Sequence, residues 1–129
     1  MGTIRPVVFK VTPPAPAVIQ PDYVPDQSQS TPYTGYLGPG ASSNKLDYNT
    51  TYTINYPDGY NISQLGIAII YGDNWSWLNI DDVQPPPNTI KLSDYLTSSQ
   101  WNDTKILCLT LFGSSSQEIY QPITLTPIS

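Results

Sequence analysis

Eight of the chain's fourteen prolines fall between residues 1 and 45, at Pro6, Pro13, Pro14, Pro16, Pro21, Pro25, Pro32 and Pro39. Each ring presets φ and removes a backbone donor, so at this spacing neither a helix nor a central strand propagates. Residues 1–45 therefore read as an extended Pro/Gly/Ser-rich arm, and residues 46–129 as the compact domain. Within the arm, Val7-Val8-Phe9-Lys10-Val11 is one short strand candidate, with Pro6 at its start, where an edge strand tolerates proline. Residues 20–44 carry loop chemistry throughout, including Gly35, Gly38, Gly40 and Ser42-Ser43-Asn44.

The compact part alternates short apolar runs with turn residues. Tyr52, Ile54 and Tyr56 alternate with Thr51, Thr53 and Asn55 and lead into Pro57-Asp58-Gly59, a half-buried strand entering a tight turn. Residues 65–71 and 106–112 are apolar on both faces and predict the central strands, one from each sheet or adjacent in one. Residues 75–80 alternate again and join the preceding run through Gly72-Asp73-Asn74 as a hairpin, placing Trp75 and Trp77 on one face of one strand.

Pro85-Pro86-Pro87 forces an extended crossing to a short strand over 89–92. A single helical turn is expected over 93–96, before Trp101, and a last hairpin over 113–116 leads into an edge strand over 119–126 containing Pro122. Six or seven short strands at this spacing predict an all-β fold, a small antiparallel β-sandwich of immunoglobulin-like or jelly-roll type.

Charge and residue content exclude several chemistries. The formal charge is −5, with Arg5 the single arginine and Lys10, Lys45, Lys91 and Lys105 scattered, so the basic cluster that nucleic-acid binding requires is missing. There is no histidine, hence no Ser-His-Asp relay and no imidazole metal ligand. Cys108 is the sole cysteine and lies in the apolar run Ile106-Leu107-Cys108-Leu109, which reads as inert core without a disulfide. No glycine-rich phosphate loop or nucleophile elbow occurs. No apolar run has the length of a signal peptide or a membrane span.

Asp73, Asp81 and Asp82 flank the tryptophan hairpin and are the residue type that a glycosidic carboxylate pair or, with Asn74, a calcium site uses. Solvated turn aspartates account for them better, and neither a catalytic residue, a metal nor a cofactor is expected. Trp75, Trp77, Trp101 and ten tyrosines must supply much of the core in a chain with only two phenylalanines. Trp75 and Trp77 are nonetheless a candidate ligand platform, because aromatic faces on a strand stack against sugar rings. Four sequons, at Asn49, Asn61, Asn74 and Asn102, fit an exterior location.

In composition and layout the chain resembles small virion proteins of the decoration, turret or penton-base type, in which a β-domain is anchored by an extended arm. The resemblance is one of character and transfers no residues. It implies a non-enzymatic structural subunit of a virion or extracellular surface assembly, partnered by other capsid proteins in a homo- or hetero-oligomer, with neither nucleic acid nor membrane insertion involved. Arm docking is expected through Val7, Val8, Phe9 and Val11, which can add a strand to a neighbour's sheet edge. Removing residues 1–20 is then expected to leave the domain folded but to stop its incorporation into the assembly. The alternative is a carbohydrate-binding or adhesin module using Trp75 and Trp77.

Overall fold

The computed structural model describes residues 17–41 and 45–128; the expected strand at Val7 to Val11 lies outside them. The fold is all-β and antiparallel, with little helix. Eight strands follow in chain order: β1 (Tyr33–Leu37), β2 (Thr51–Asn55), β3 (Gln64–Tyr71), β4 (Ser76–Val83), β5 (Thr89–Lys91), β6 (Thr104–Phe112), β7 (Glu118–Ile119) and β8 (Thr124–Pro127). They form two sheets. The larger has the order β1-β6-β3-β4 with β7 also on β6, and the smaller the order β5-β2-β8. No described helix is long and apolar enough to cross a membrane.

Strands β3 and β6 are the two runs apolar on both faces, and they are neighbours in the larger sheet, with Ile67 opposite Leu109 and Ile69 opposite Leu107. Period-two alternation then divides their side chains. Leu65, Ile67 and Ile69 join Leu107, Leu109 and Leu111 in the main core, facing Tyr52, Ile54, Ile90, Ile123 and Leu125 from the smaller sheet and its approaches. Ala68, Ile106 and Cys108 are buried in a second, smaller cluster on the opposite face, with Tyr33, Leu37 and Ile70 packed against them. That second cluster explains the continuous apolar pattern: both faces of the central strands are covered, one by the other sheet and one by aromatic side chains.

Tyrosines tie loops to this core, because a phenol buries a ring and still needs a partner for its hydroxyl. Tyr48 donates to the Leu96 carbonyl at 2.7 Å and Tyr56 to the Pro87 carbonyl at 2.6 Å, while the Tyr52 hydroxyl accepts from the Asp47 amide at 2.7 Å. Burial, reinforced by the nearby Tyr95 phenol, pushes the Tyr56 hydroxyl up to about 12. Helix α1 (Ser98–Asn102) is a single capped turn. The Thr97 hydroxyl accepts from the Gln100 amide at 3.1 Å, and the Gln100 side chain accepts from the Thr97 amide at 2.8 Å. This reciprocal cap delivers Trp101, only 4% exposed, into the core. Where the sequence predicts a helical turn, at 93–96, the chain makes a 3₁₀ turn over Leu92–Asp94, and α1 follows with Trp101 inside it.

The largest departure from expectation is in residues 20–44. Their residue types predict loop throughout, yet Tyr33–Leu37 is a full strand of the larger sheet, paired with β6 from Tyr33 opposite Thr110 to Leu37 opposite Ile106. Thr34 and Tyr36 point inward, and both are buried. The Tyr36 hydroxyl donates to the Ile19 carbonyl at 3.2 Å, and the Thr34 hydroxyl accepts from the Ile123 amide at 3.2 Å. Desolvation by burial raises the pKa of Tyr36. Residues 19–23 form a strap along this flank. The Ile19 amide bonds the Leu125 carbonyl of β8 at 2.7 Å, and Tyr23 exchanges both backbone bonds with Gly35 of β1. Proline did not prevent this, because Pro21, Pro25 and Pro32 stand between the residues that make the ladder bonds.

A deletion reaching residue 20 therefore removes Ile19, which packs against the main core, and cuts into the fold. Residues 119–126, read as one edge strand, divide into β7 and β8 on different sheets, with Gln121-Pro122 as the crossing.

Candidate binding face

The outward side of the larger sheet is built from alternate residues of four strands. Tyr33, Gly35 and Leu37 come from β1, Ile106, Cys108 and Thr110 from β6, Gly66, Ala68 and Ile70 from β3, and Trp77 and Asn79 from the edge strand β4. Small residues at its centre let aromatic side chains lie close to the sheet. A Cβ on Gly35 would come within 3.1 Å of Tyr23 and of Ile106, so glycine is what allows Tyr23 to lie across β1. A Cβ on Gly66 would meet Phe112 at 2.9 Å and the Asp82 carboxylate at 3.2 Å.

Trp77 anchors this face. It is 49% exposed, its ring centroid lies 5.7 Å from that of Tyr33 in a tilted arrangement, and its indole N–H donates to the Asn79 side chain at 2.9 Å. Centroids at this separation fall within the attractive range for aromatic pairs. The hydrogen bond to Asn79 fixes the indole's orientation while leaving much of its surface open. Next to it runs a groove of about 360 Å³, with Gly66, Ala68 and Thr110 among its lining, Tyr33, Trp77 and Phe112 as aromatic walls, and Asn79, Asp82 and Glu118 supplying polar groups.

Trp75 does not share this platform. The strand begins at Ser76, and Trp75 belongs to the preceding turn with φ of 52°, its amide donating to the Gly72 carbonyl at 3.2 Å. The expectation of two tryptophans at i and i+2 on one strand fails because the hairpin turn is one residue longer than Gly72-Asp73-Asn74. Trp75, 57% exposed, lines a different hollow with Leu37, Gly38 and Lys105. Of the three tryptophans, only Trp101 is core.

Sequence reasoning missed Tyr33 and Phe112 as members of the face, since Tyr33 lay in a segment read as loop. The alternation Tyr33, Gly35, Leu37 was the pattern that could have found it.

The remaining candidates are dispersed. Asp81 and Asp82 are exposed, with the Asp81 carboxylate accepting from the Asp82 amide at 2.9 Å, and Asp73 is exposed in the turn. Among the described residues, no three His, Cys, Asp or Glu side chains come together as metal ligands would. Cys108 is fully buried at the sheet centre, and burial pushes its thiol up to about 12, which disfavours the thiolate needed for chemistry. Another hollow, about 640 Å³, lies among loops and is lined by Tyr60, Asn61, Gln117 and Tyr120, with Glu118 its one carboxylate. All four sequon asparagines are exposed. Val7, Val8, Phe9 and Val11 lie outside the described residues, so their expected docking role has no placement here.

No protein-family model, curated protein or solved structure matches this chain.

Proposed function

We propose that this chain is a non-enzymatic structural subunit of a virion or extracellular surface assembly, its domain an immunoglobulin-like sandwich and its first residues an anchoring arm. The sandwich reading draws support from the pairing order. β2 with β5 in one sheet, and β4, β3, β6 and β7 in succession in the other, follow the strand neighbours of immunoglobulin domains. The observation that carries the assembly reading is the aromatic outer face. Tyr23 and Trp77 stay about half-exposed on a sheet face whose centre is apolar. Contiguous apolar patches rimmed by polar groups are characteristic of protein contact surfaces, where Tyr and Trp are enriched.

The test is sedimentation of a lysate from the native source, with mass spectrometry locating this chain. Recovery in a particle of virion size is expected, and a Val7→Asp/Phe9→Asp variant should be lost from that fraction at least tenfold while remaining folded. Recovery solely as a free monomer overturns the reading.

A second reading, a carbohydrate-binding module, is favoured by the groove beside Trp77. An indole face with Asp82, Asn79 and Glu118 nearby offers a pyranose both a stacking surface and hydroxyl partners. Trp77→Ala is expected to abolish retention on a glycan array with little change in stability, since the side chain is half-exposed, whereas Trp75→Ala should leave retention intact. An array with no wild-type signal removes this reading.

A further inference from the structure

The sheet edges of this fold are treated unequally. The flank holding β1 and β8 is closed by the strap: Tyr23 bonds Gly35 and Ile19 bonds Leu125. β5, at the outer edge of the smaller sheet, is three residues long. β4 is different. It runs for eight residues, pairs with β3 alone, and among the described residues forms no backbone hydrogen bond on its other side. A long open edge is a template for another strand. It is also acidic: Asp81 and Asp82 lie on it, Asp73 precedes it, and no lysine or arginine occurs from residue 73 to 83. Like charges placed opposite one another on paired strands are unfavourable, so this edge is guarded against pairing with its own twin.

The sequence holds a complementary strand candidate. The first sixteen residues contain Arg5 and Lys10 and no acidic side chain, whereas all ten acidic residues lie beyond them. Read as a strand, Val7, Phe9 and Val11 share one side and Val8 and Lys10 the other. That division fits β4, whose Leu78 and Ile80 pack toward the main core and whose Trp77 and Asp82 line the outer groove.

We infer that Val7 to Val11 of a second copy of this chain pairs with the free edge of β4, with Arg5 and Lys10 set against Asp81 and Asp82. The inference rests on the reading of the first residues as a docking arm and adds the surface that receives them. A second copy is the occupant because Ile19 fixes the arm's exit on the flank opposite β4. The intervening Pro13-Pro14-Ala15-Pro16 is a sequence that favours extended polyproline geometry, at about 3.1 Å per residue, over a turn back across the domain. Joined head to tail in this way, the contact propagates from copy to copy or closes into a ring.

The experiment uses the full chain. Sedimentation velocity over a dilution series reports association, and hydrogen exchange on the same samples reports which amides slow. Concentration-dependent association with slowing over residues 76–83 is expected. Asp81→Lys/Asp82→Lys should weaken it at least tenfold, Arg5→Glu/Lys10→Glu likewise, and the four changes together should recover most of it. Should the aspartate reversal cost the far-UV spectrum, Asp81→Asn/Asp82→Asn takes its place, with a smaller weakening expected and no recovery. Slowing at another surface, or association indifferent to Asp81 and Asp82, overturns the β4 site while leaving the arm a docking element. A monomer at all concentrations whose residues 76–83 are nevertheless slow places the arm on its own β4 and overturns the second copy. A monomer with fast β4 amides overturns the inference outright; whether the assembly reading survives is then decided separately by the Val7→Asp/Phe9→Asp variant in particles.

Discussion

Replacing Leu107 with alanine is expected to lower unfolding stability by about 3 to 4 kcal/mol, within the span of measured large-to-small core substitutions. Leu107 is fully buried at the middle of β6, in register with Tyr36 of β1 on one side and Ile69 of β3 on the other. All three side chains belong to the main core, so the lost methyl groups leave a void that both neighbouring strands hold open. Urea unfolding followed by tryptophan fluorescence measures it, Trp101 reporting on the core. For a domain with few kilocalories to spare, such a loss leaves a large unfolded fraction at physiological temperature. A loss below about 1 kcal/mol would mean that the two sheets relax into the space, contrary to close packing at this site.

Gly38→Ala is expected to be comparably severe for a different reason. Gly38 follows β1, and its amide donates to the Lys105 carbonyl at 3.0 Å. A methyl group on its Cα would overlap the carbonyl oxygen of Thr104, which is backbone and has no rotamer through which to yield. Relief requires the end of β1 to move away from β6, with loss of ladder bonds near Leu37 and Ile106. A cost of about 3 kcal/mol or more is expected from overpacking against main chain. Gly40→Ala is the control, since nothing lies within 4 Å of its added Cβ. It should be neutral or stabilise by up to about 1 kcal/mol through the unfolded chain. Parallel denaturation curves settle the comparison, and equal stability of the two variants would contradict the close approach of β1 to β6.

Both predictions concern β1, or the strand it pairs with, and β1 is the element that sequence pattern did not disclose. Tyr33-Thr34-Gly35-Tyr36-Leu37 alternates as a strand should, but it sits between Pro32 and Gly38 in a segment rich in turn residues. Local propensity correctly registered the breakers. It carried no information on the strap, whose bonds from Ile19 and Tyr23 join residues distant in sequence. The same limit applied to the tryptophans. Alternation over 75–80 was real, yet the turn took Trp75 out of the strand, and only the register of β4 on β3 separates the surroundings of Trp75 from those of Trp77. Tyr33, which completes the aromatic pair with Trp77, is forty-four residues away in the chain.

The sequence by itself determined the strand class and the central pair. Runs with apolar residues on both faces, as over 65–71 and 106–112, are satisfied only where both faces of a strand are covered, and β3 and β6 are those strands. It also excluded a histidine relay and an imidazole metal ligand, because the chain contains no histidine. Tertiary structure decided which edges are open, which aromatics are core and which are surface, and where small residues let large ones approach. These depend on pairing partners and on distances between elements remote in sequence, and a one-dimensional periodicity specifies a face without specifying what lies against it.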